Sequence, residues 1–138
     1  MDPNIAVAAQ RIATQAHQGQ FRRGGTVPYI EHPKAVVSRV GNGVEEQVVA
    51  WLHDVLEDCE VTAEQLREAG IPEHCIEAVE LLSKPENCDY EDYLERVAQN
   101  PLATKVKIAD MISNLADNPT NKQLKKYAKG LSRLTRDL

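Results

Sequence analysis

The sequence predicts an all-α fold, one compact bundle of about eight helices. Apolar residues recur at helical spacing in almost every segment, and short breaks rich in Gly, Pro or Asn separate the segments. No convincing strand, internal repeat or low-complexity linker interrupts the pattern. A chain of 138 residues can bury one real core and is short for two, so residues 1–138 read as a single domain.

Each element has its own signals. Over residues 3–19, Ile5, Ala8, Ala9, Ile12, Ala13 and Ala16 line one helical face, with Asp2 placed to cap and Pro3 suited to the first turn. The loop QFRRGGTVPYIEHP follows, with paired glycines and two prolines. A short helix over residues 33–40 stops at Gly41-Asn42-Gly43, and a third over residues 44–57 turns Val48, Val49, Leu52 and Val55 or Leu56 inward. TAEQLREAG opens on a capping box from Thr62 to Gln65 and ends at Gly70. Pro72 opens a helix that reaches about Ser83, and residues 90–99 form another after the loop KPENCD. Asn100-Pro101 starts the next helix, which runs to about Asp117, and Asn118-Pro119 breaks it.

The last helix, from about Asn121 to the end, has two stripes. Leu124, Tyr127, Leu131, Leu134 and Leu138 form an apolar one, either core or the seam of a homo-oligomer. Lys122, Lys126, Lys129, Arg133 and Arg136 form a basic one, which reads as a solvated face, a phosphate-facing wall or a dimer contact. Gly130 inside this helix costs about 1 kcal/mol relative to Ala, which points to a bend or a close approach there.

Composition narrows the function classes. The chain is 42% hydrophobic and 27% charged, an ordinary soluble balance. Only 4% aromatic residues and a net charge of −5 argue against nucleic acid as a partner. A phosphate ligand would need a local cationic patch or a metal ion. Cys59, Cys75 and Cys88 are odd in number and lack CxxC spacing, which speaks for reduced thiols rather than a disulfide framework or a zinc ribbon. No leader-like N-terminus and no membrane-length apolar run is visible, so a cytoplasmic protein without a membrane partner is expected.

The chemistry concentrates in three stretches. In WLHDVLED, Asp54, Glu57 and Asp58 share a helical face and repel one another unless a cation sits among them. Trp51, Leu52, Val55 and Leu56 demand burial, which draws His53 and Asp54 to the edge of a core. Read alone, the stretch is equally a solvated acidic face and half of a metal site. In RRGGTVPYIEHP, a Gly/Pro loop and Pro33 fix the direction of His32, and Arg22 and Arg23 precede it. In KVKIADMISN, Asp110 lies among Val106, Ile108, Ala109 and Ile112, with Lys107 and Asn114 on its face. Asp110 is either a ligand or the partner of Lys107 in an ion pair. Together His32, His53, Asp54 and Asp110 offer two imidazoles and two carboxylates, a set suited to Mn²⁺ or Fe²⁺ and compatible with Zn²⁺.

With AHQGQFRRGGTVPYIEHP, AWLHDVLEDCEVTAEQL, LLSKPE and KVKIADMISN, the chain resembles the HD-domain metal-dependent phosphohydrolases from about residue 8 to residue 118. More narrowly, it resembles the hydrolase domain of the RelA/SpoT alarmone enzymes and their small stand-alone relatives. The resemblance implies His32, His53, Asp54 and Asp110 as ligands, usually of Mn²⁺. It implies that Glu57 and Asp58 act on the attacking water and that Arg22 packs on the guanine base. It places Lys107 and Asn114 in the nucleotide pocket and Ser83-Lys84 where the family commonly has Thr-Lys. Arg22, Arg23, Lys84 and Lys107 would then supply the positive charge that phosphates need. The implied reaction is hydrolysis of guanosine 3′,5′-bispyrophosphate (ppGpp) at the ribose 3′ oxygen, releasing pyrophosphate.

Some features depart from the family pattern. Met111 stands where the family has an arginine, the loop before His32 is one residue longer, and the later nucleotide-binding segment is missing or much altered. A nucleotidase or phosphodiesterase acting on another phosphorylated nucleotide is the alternative reading, as is a metal-holding HD-like binding module. Of the remaining polar residues, His17 reads as a structural histidine supporting the arginine loop and His74 as exposed. Phe21 and Trp51 read as core or pocket wall, and Tyr29 as core or as a hydrogen-bond partner near the site.

Overall fold

Side-chain caps at Thr62, Asp89, Asn100 and Thr120 set four of the helix starts. The computed structural model describes residues 1–138. Its nine helices are α1 (Asn4–Ala16), α2 (Glu31–Ser38), α3 (Val44–Leu52), α4 (Val55–Asp58), α5 (Ala63–Glu68), α6 (Glu73–Leu82), α7 (Tyr90–Val97), α8 (Pro101–Leu115) and α9 (Asn121–Leu134). The capping box at Thr62 and Gln65 forms as expected, and Thr120 with Gln123 makes a second one at the start of α9. Asn100 caps α8 through the Ala103 amide, with Pro101 in the first turn.

The all-α expectation is met, with three local corrections. The helix expected over residues 44–57 breaks after Leu52 and resumes at Val55. At the break His53 Nδ1 lies 2.7 Å from the Ala50 carbonyl, so the imidazole competes for an acceptor of the helical ladder. The helix expected over residues 33–40 begins at Glu31, because Pro33 is tolerated in a first turn, and His32 therefore sits on α2 rather than before it. The last helix ends at Leu134. Leu138 is 91% exposed and Leu124 is also exposed, so the apolar stripe reaches the core only through Tyr127, Leu131 and Leu134.

Helix α3 is the central element. α1, α2, α6 and α8 pack around it, and α9 lies across α8 and α7. Val48, Val49, Leu52 and Val55 are fully buried, whereas Leu56 is only partly so. Leu66, Ile76, Met111 and Val106 complete the core from α5, α6 and α8. The three cysteines are free thiols. No helix is long and apolar enough to cross a membrane.

The loop between α1 and α2 is pinned rather than open. Phe21 and Pro28 form an isolated antiparallel bridge, and the Arg22 amide donates to Val27 O at 2.8 Å. Gly24 and Gly25 at the tip have φ of 93° and 78°, a left-handed turn in which a side chain would be strained. This narrow hairpin brings Arg22, Tyr29 and His32 to one side of the bundle.

Candidate metal centre

Burying polar groups is costly unless they find partners, and the buried polar side chains here gather in one region. His32 is held at the first turn of α2, His53 and Asp54 at the α3–α4 break, and Asp110 mid-way along α8. His32 Nε2 lies 2.7 Å from Asp110 Oδ1 and 4.0 Å from Asp54 Oδ2. His53 Nε2 lies 3.0 Å from Asp54 Oδ2 and 3.5 Å from Asp110 Oδ1. Ligating atoms of His32, His53 and Asp110 fall within 4.8 Å of one another, and those of Asp54, Glu57 and Asp58 form an adjoining group of the same span.

These four residues fit a metal ion on a specific ground. His53 Nδ1 faces the Ala50 carbonyl and must carry the hydrogen, so Nε2 presents a lone pair. That nitrogen is buried and has no aligned hydrogen-bond partner, although two carboxylate oxygens face it. A cation between them resolves the conflict, and an imidazole held by a backbone carbonyl is the usual arrangement for a ligating histidine. Spacings of 2.7–4.0 Å match those between neighbouring ligands of a first-row ion with bonds of about 2.1 Å. Without an ion, a proton takes its place. Burial pulls the His53 pKa down, but Asp54 and Asp110 outweigh it and hold the pKa well above the ordinary value.

Asp110 is paired with Lys107, and its other oxygen is turned to the histidines. Oδ2 accepts from Lys107 Nζ at 3.0 Å, and Oδ1 faces the histidines and accepts from Asn114 Nδ2 at 3.3 Å. Burial would raise the Asp110 carboxyl, yet Lys107 and His53 keep it well below the usual range. Burial would likewise raise Asp54, but His53 and the Tyr29 hydroxyl, which donates to Asp54 Oδ2 at 2.6 Å, help to bring it down to about 2.

Glu57 and Asp58 behave differently. Both are exposed at the mouth of the site, and partial desolvation pushes both carboxyls up, reinforced by repulsion from Asp54 and, for Glu57, from Asp58. Glu57 Oε1 accepts from the Lys84 backbone amide at 2.9 Å. The pair therefore holds protons more readily than ordinary carboxylates, as acid–base work requires.

A cleft of about 340 Å³ opens over the cluster. Arg22, Arg23 and Asn114 line it together with His32, Asp54, Glu57, Asp58 and Asp110. Ser83, Lys84 and Lys107 do not. Ser83 ends α6, Lys84 meets the site through its backbone amide, and Lys107 turns onto Asp110 and lies 5.4 Å from the Tyr93 ring centroid. Arg22 is held by Asp117 at 2.8 Å and stands 5.8 Å from the Tyr29 ring centroid, while Arg23 donates to Gln123 Oε1 at 2.8 Å. Phe21 and Tyr29 stand in the cleft wall, one of the places expected for each, and the structure adds Gln123 and Tyr127. Gln123 and Tyr127 carry no sequence signal for this role, because only the return of α9 across α8 brings them there. His17 is buried beside the arginine loop, in keeping with a structural role. His74 is paired with Glu45 at the surface.

No protein-family model matches the chain. In sequence it is similar to guanosine-3′,5′-bis(diphosphate) 3′-pyrophosphohydrolase of Vibrio cholerae, 36% identical in a 129-residue alignment that covers 87% of this chain and 18% of that protein. Against the protein of the same name from Haemophilus influenzae, 60 residues are 50% identical, covering 41% of this chain and 9% of that one. The bifunctional (p)ppGpp synthase/hydrolase SpoT of Escherichia coli is 35% identical over 95 residues, 67% of this chain and 13% of the relative. The chain thus spans less than a fifth of the length of these relatives. In fold it is similar to a solved structure described as a metazoan ortholog of SpoT that hydrolyses ppGpp. The TM-score is 0.79 at 21% identity, over 96% of this chain and 86% of that one.

Proposed function

We propose that this chain, a homologue of the SpoT-type pyrophosphohydrolases, is a metal-dependent phosphohydrolase that cleaves guanosine 3′,5′-bispyrophosphate or its 5′-triphosphate analogue at the ribose 3′ oxygen and releases pyrophosphate. One observation carries the reading. A buried His53 Nε2 without a hydrogen-bond partner faces two carboxylates, with a second histidine at their side and a half-open acidic pair one turn away. The names of the relatives support the nucleotide.

His32, His53, Asp54 and Asp110 would hold the ion, with Mn²⁺ the expected one and Fe²⁺ or Zn²⁺ able to substitute. A bound divalent ion of this kind lowers the pKa of water and offsets charge at phosphorus. The chain's own groups do the rest. Glu57 and Asp58, poised by their raised pKa values, take the proton of the attacking water and return it to the leaving oxygen. Tyr29 keeps its hydroxyl proton and fixes Asp54. Arg22, held by Asp117 and Asn114, presents its guanidinium plane to the base, and Arg23 adds charge at the mouth of the cleft. Lys107 neutralises Asp110 rather than meeting substrate, and Lys84 orders Glu57 through its backbone.

The domain spans residues 1–138 and works in the cytoplasm on a small phosphorylated nucleotide, without a nucleic-acid or membrane partner. Self-association through the exposed end of α9 is compatible with this. The test is pyrophosphate release from guanosine 3′,5′-bispyrophosphate by the Mn²⁺-loaded protein beside Asp54→Ala. Release by the wild type and none by the variant is the expected result. No release from protein shown to hold its metal would overturn the alarmone assignment, and other phosphorylated nucleotides would then be screened.

A further inference from the structure

Helix α4 carries the acidic pair and is only four residues long. The chain leaves it at Cys59 in extended conformation, so its last carbonyls lose their intrahelical partners. One of them, Asp58 O, is satisfied from far away in sequence. Gln20 Nε2 donates to it at 3.2 Å and to Cys59 Sγ at 3.5 Å. The same amide turns its oxygen to His17, whose Nδ1 lies 2.9 Å from Gln20 Oε1 and 3.3 Å from Cys59 Sγ.

This chain of contacts has one direction. The Gln20 oxygen can only accept, so His17 Nδ1 carries the hydrogen. His17 Nε2 is then a bare lone pair, and it is buried without a partner in a side chain only 2% exposed. The ring packs on Tyr29 at 4.7 Å between centroids, which leaves it little freedom to flip. A histidine kept in a tautomer that strands its other nitrogen has a fixed task, and here the task is to aim the Gln20 amide.

We propose that Gln20 and His17 are positioning residues for the acidic pair. Gln20 caps the carbonyl end of α4 and sets the direction in which Asp58 faces the cleft, and His17 fixes which end of the Gln20 amide does so. The proposal rests on the reading of Glu57 and Asp58 as the groups that handle the attacking water. Neither His17 nor Gln20 touches substrate in this account.

Three measurements test it. In turnover, Gln20→Ala and Gln20→Glu should lower kcat by about 10- to 100-fold, with KM, bound metal and Tm near wild type. Gln20→Glu should regain activity relative to Gln20→Ala as the pH falls, because a protonated carboxyl can again donate to Asp58 O. A filler of space would give no such difference between the two pH profiles, and kcat within twofold of wild type in Gln20→Ala would overturn the proposal. Without turnover, ¹⁵N imidazole resonances of the apoprotein should place the His17 hydrogen on Nδ1, and a hydrogen on Nε2 would overturn the chain of contacts. The Asp58 carboxyl ¹³C resonance should move in Gln20→Ala, and an unmoved resonance would sink the positioning role. A wild type inactive on every nucleotide tested counts against the hydrolase reading, while the two resonance measurements still decide the geometry.

Discussion

Met111 lays its terminal methyl 2.6 Å from the place where a β-carbon on residue 130 would sit, so Gly130 admits a side chain that no other residue would. Met111 is fully buried and faces α9, away from the cleft. The departure from the family's arginine at this position is therefore matched by a glycine in the facing helix and concerns the packing of α9. Gly130→Ala gains about 1 kcal/mol of helix propensity but forces Met111 aside at a cost of about 1–3 kcal/mol. The net effect expected is a lower Tm. In a Met111→Ala background the same change should raise Tm, and a double-mutant cycle by urea unfolding measures the coupling. Equal effects in both backgrounds would contradict the contact.

Asp110 serves two partners, and removing it strands one of them. Lys107 is partly buried against it at 3.0 Å, and desolvation alone would lower the Lys107 pKa, but Asp110 holds it well above the ordinary value. Asp110→Ala should cost up to about 3 kcal/mol in the apoprotein, the lower end for a buried pair, because it leaves a partly buried ammonium without a counter-charge. Adding Lys107→Met should restore part of that stability without restoring metal binding. Denaturant unfolding and a metal titration on the same proteins separate the two roles.

Metal affinity should depend on pH with a definite sign. Ion and proton compete for the same imidazole nitrogens, so binding releases protons and weakens as pH falls. In the apoprotein His53 holds its proton well above its ordinary pKa, which widens the window of competition. Calorimetry of Mn²⁺ binding in buffers of different ionisation enthalpy should report net proton release at neutral pH. A chelator should lower the Tm of the loaded protein to that of the apoprotein. Zero proton release would remove the histidines from the ligand set.

The acidic pair should oppose stability where it serves activity. Glu57 and Asp58 have raised carboxyl pKa values in the fold, chiefly through partial burial and then through nearby carboxylates. A raised folded pKa contributes stability below the unfolded value, and that contribution is lost as pH rises through the folded one. In their charged forms both carboxylates are repelled by Asp54, and Glu57 also by Asp58. The double variant Glu57→Gln, Asp58→Asn should therefore melt slightly higher than wild type as apoprotein at pH 7. The effect is small because both groups are solvent-screened, and it should fade as pH falls toward 4. The same variant should lose turnover by about 100-fold or more while holding its metal. A lower melting temperature at pH 7 would contradict the electrostatic account.

Helix content, most helix limits and the candidate ligands were legible in the sequence because their signals are local. Periodicity, caps and Gly-Pro punctuation act within a few residues. His32, His53, Asp54 and Asp110 stood out because each is a polar group among residues that demand burial. The break between α3 and α4 was not legible, since it depends on His53 turning back onto Ala50 as the core closes over Leu52. Nor were the cleft positions of Gln123 and Tyr127 or the tie from Gln20 to Asp58, which join residues far apart in the chain. The sequence by itself determined which groups would be buried together with their charges. Only the tertiary structure decided how those charges are shared, turning Lys107 onto Asp110, Asp117 onto Arg22 and Nε2 of His53 toward two carboxylates. Such pairings depend on distances of a few ångströms between separate helices, and helical periodicity carries no information about them.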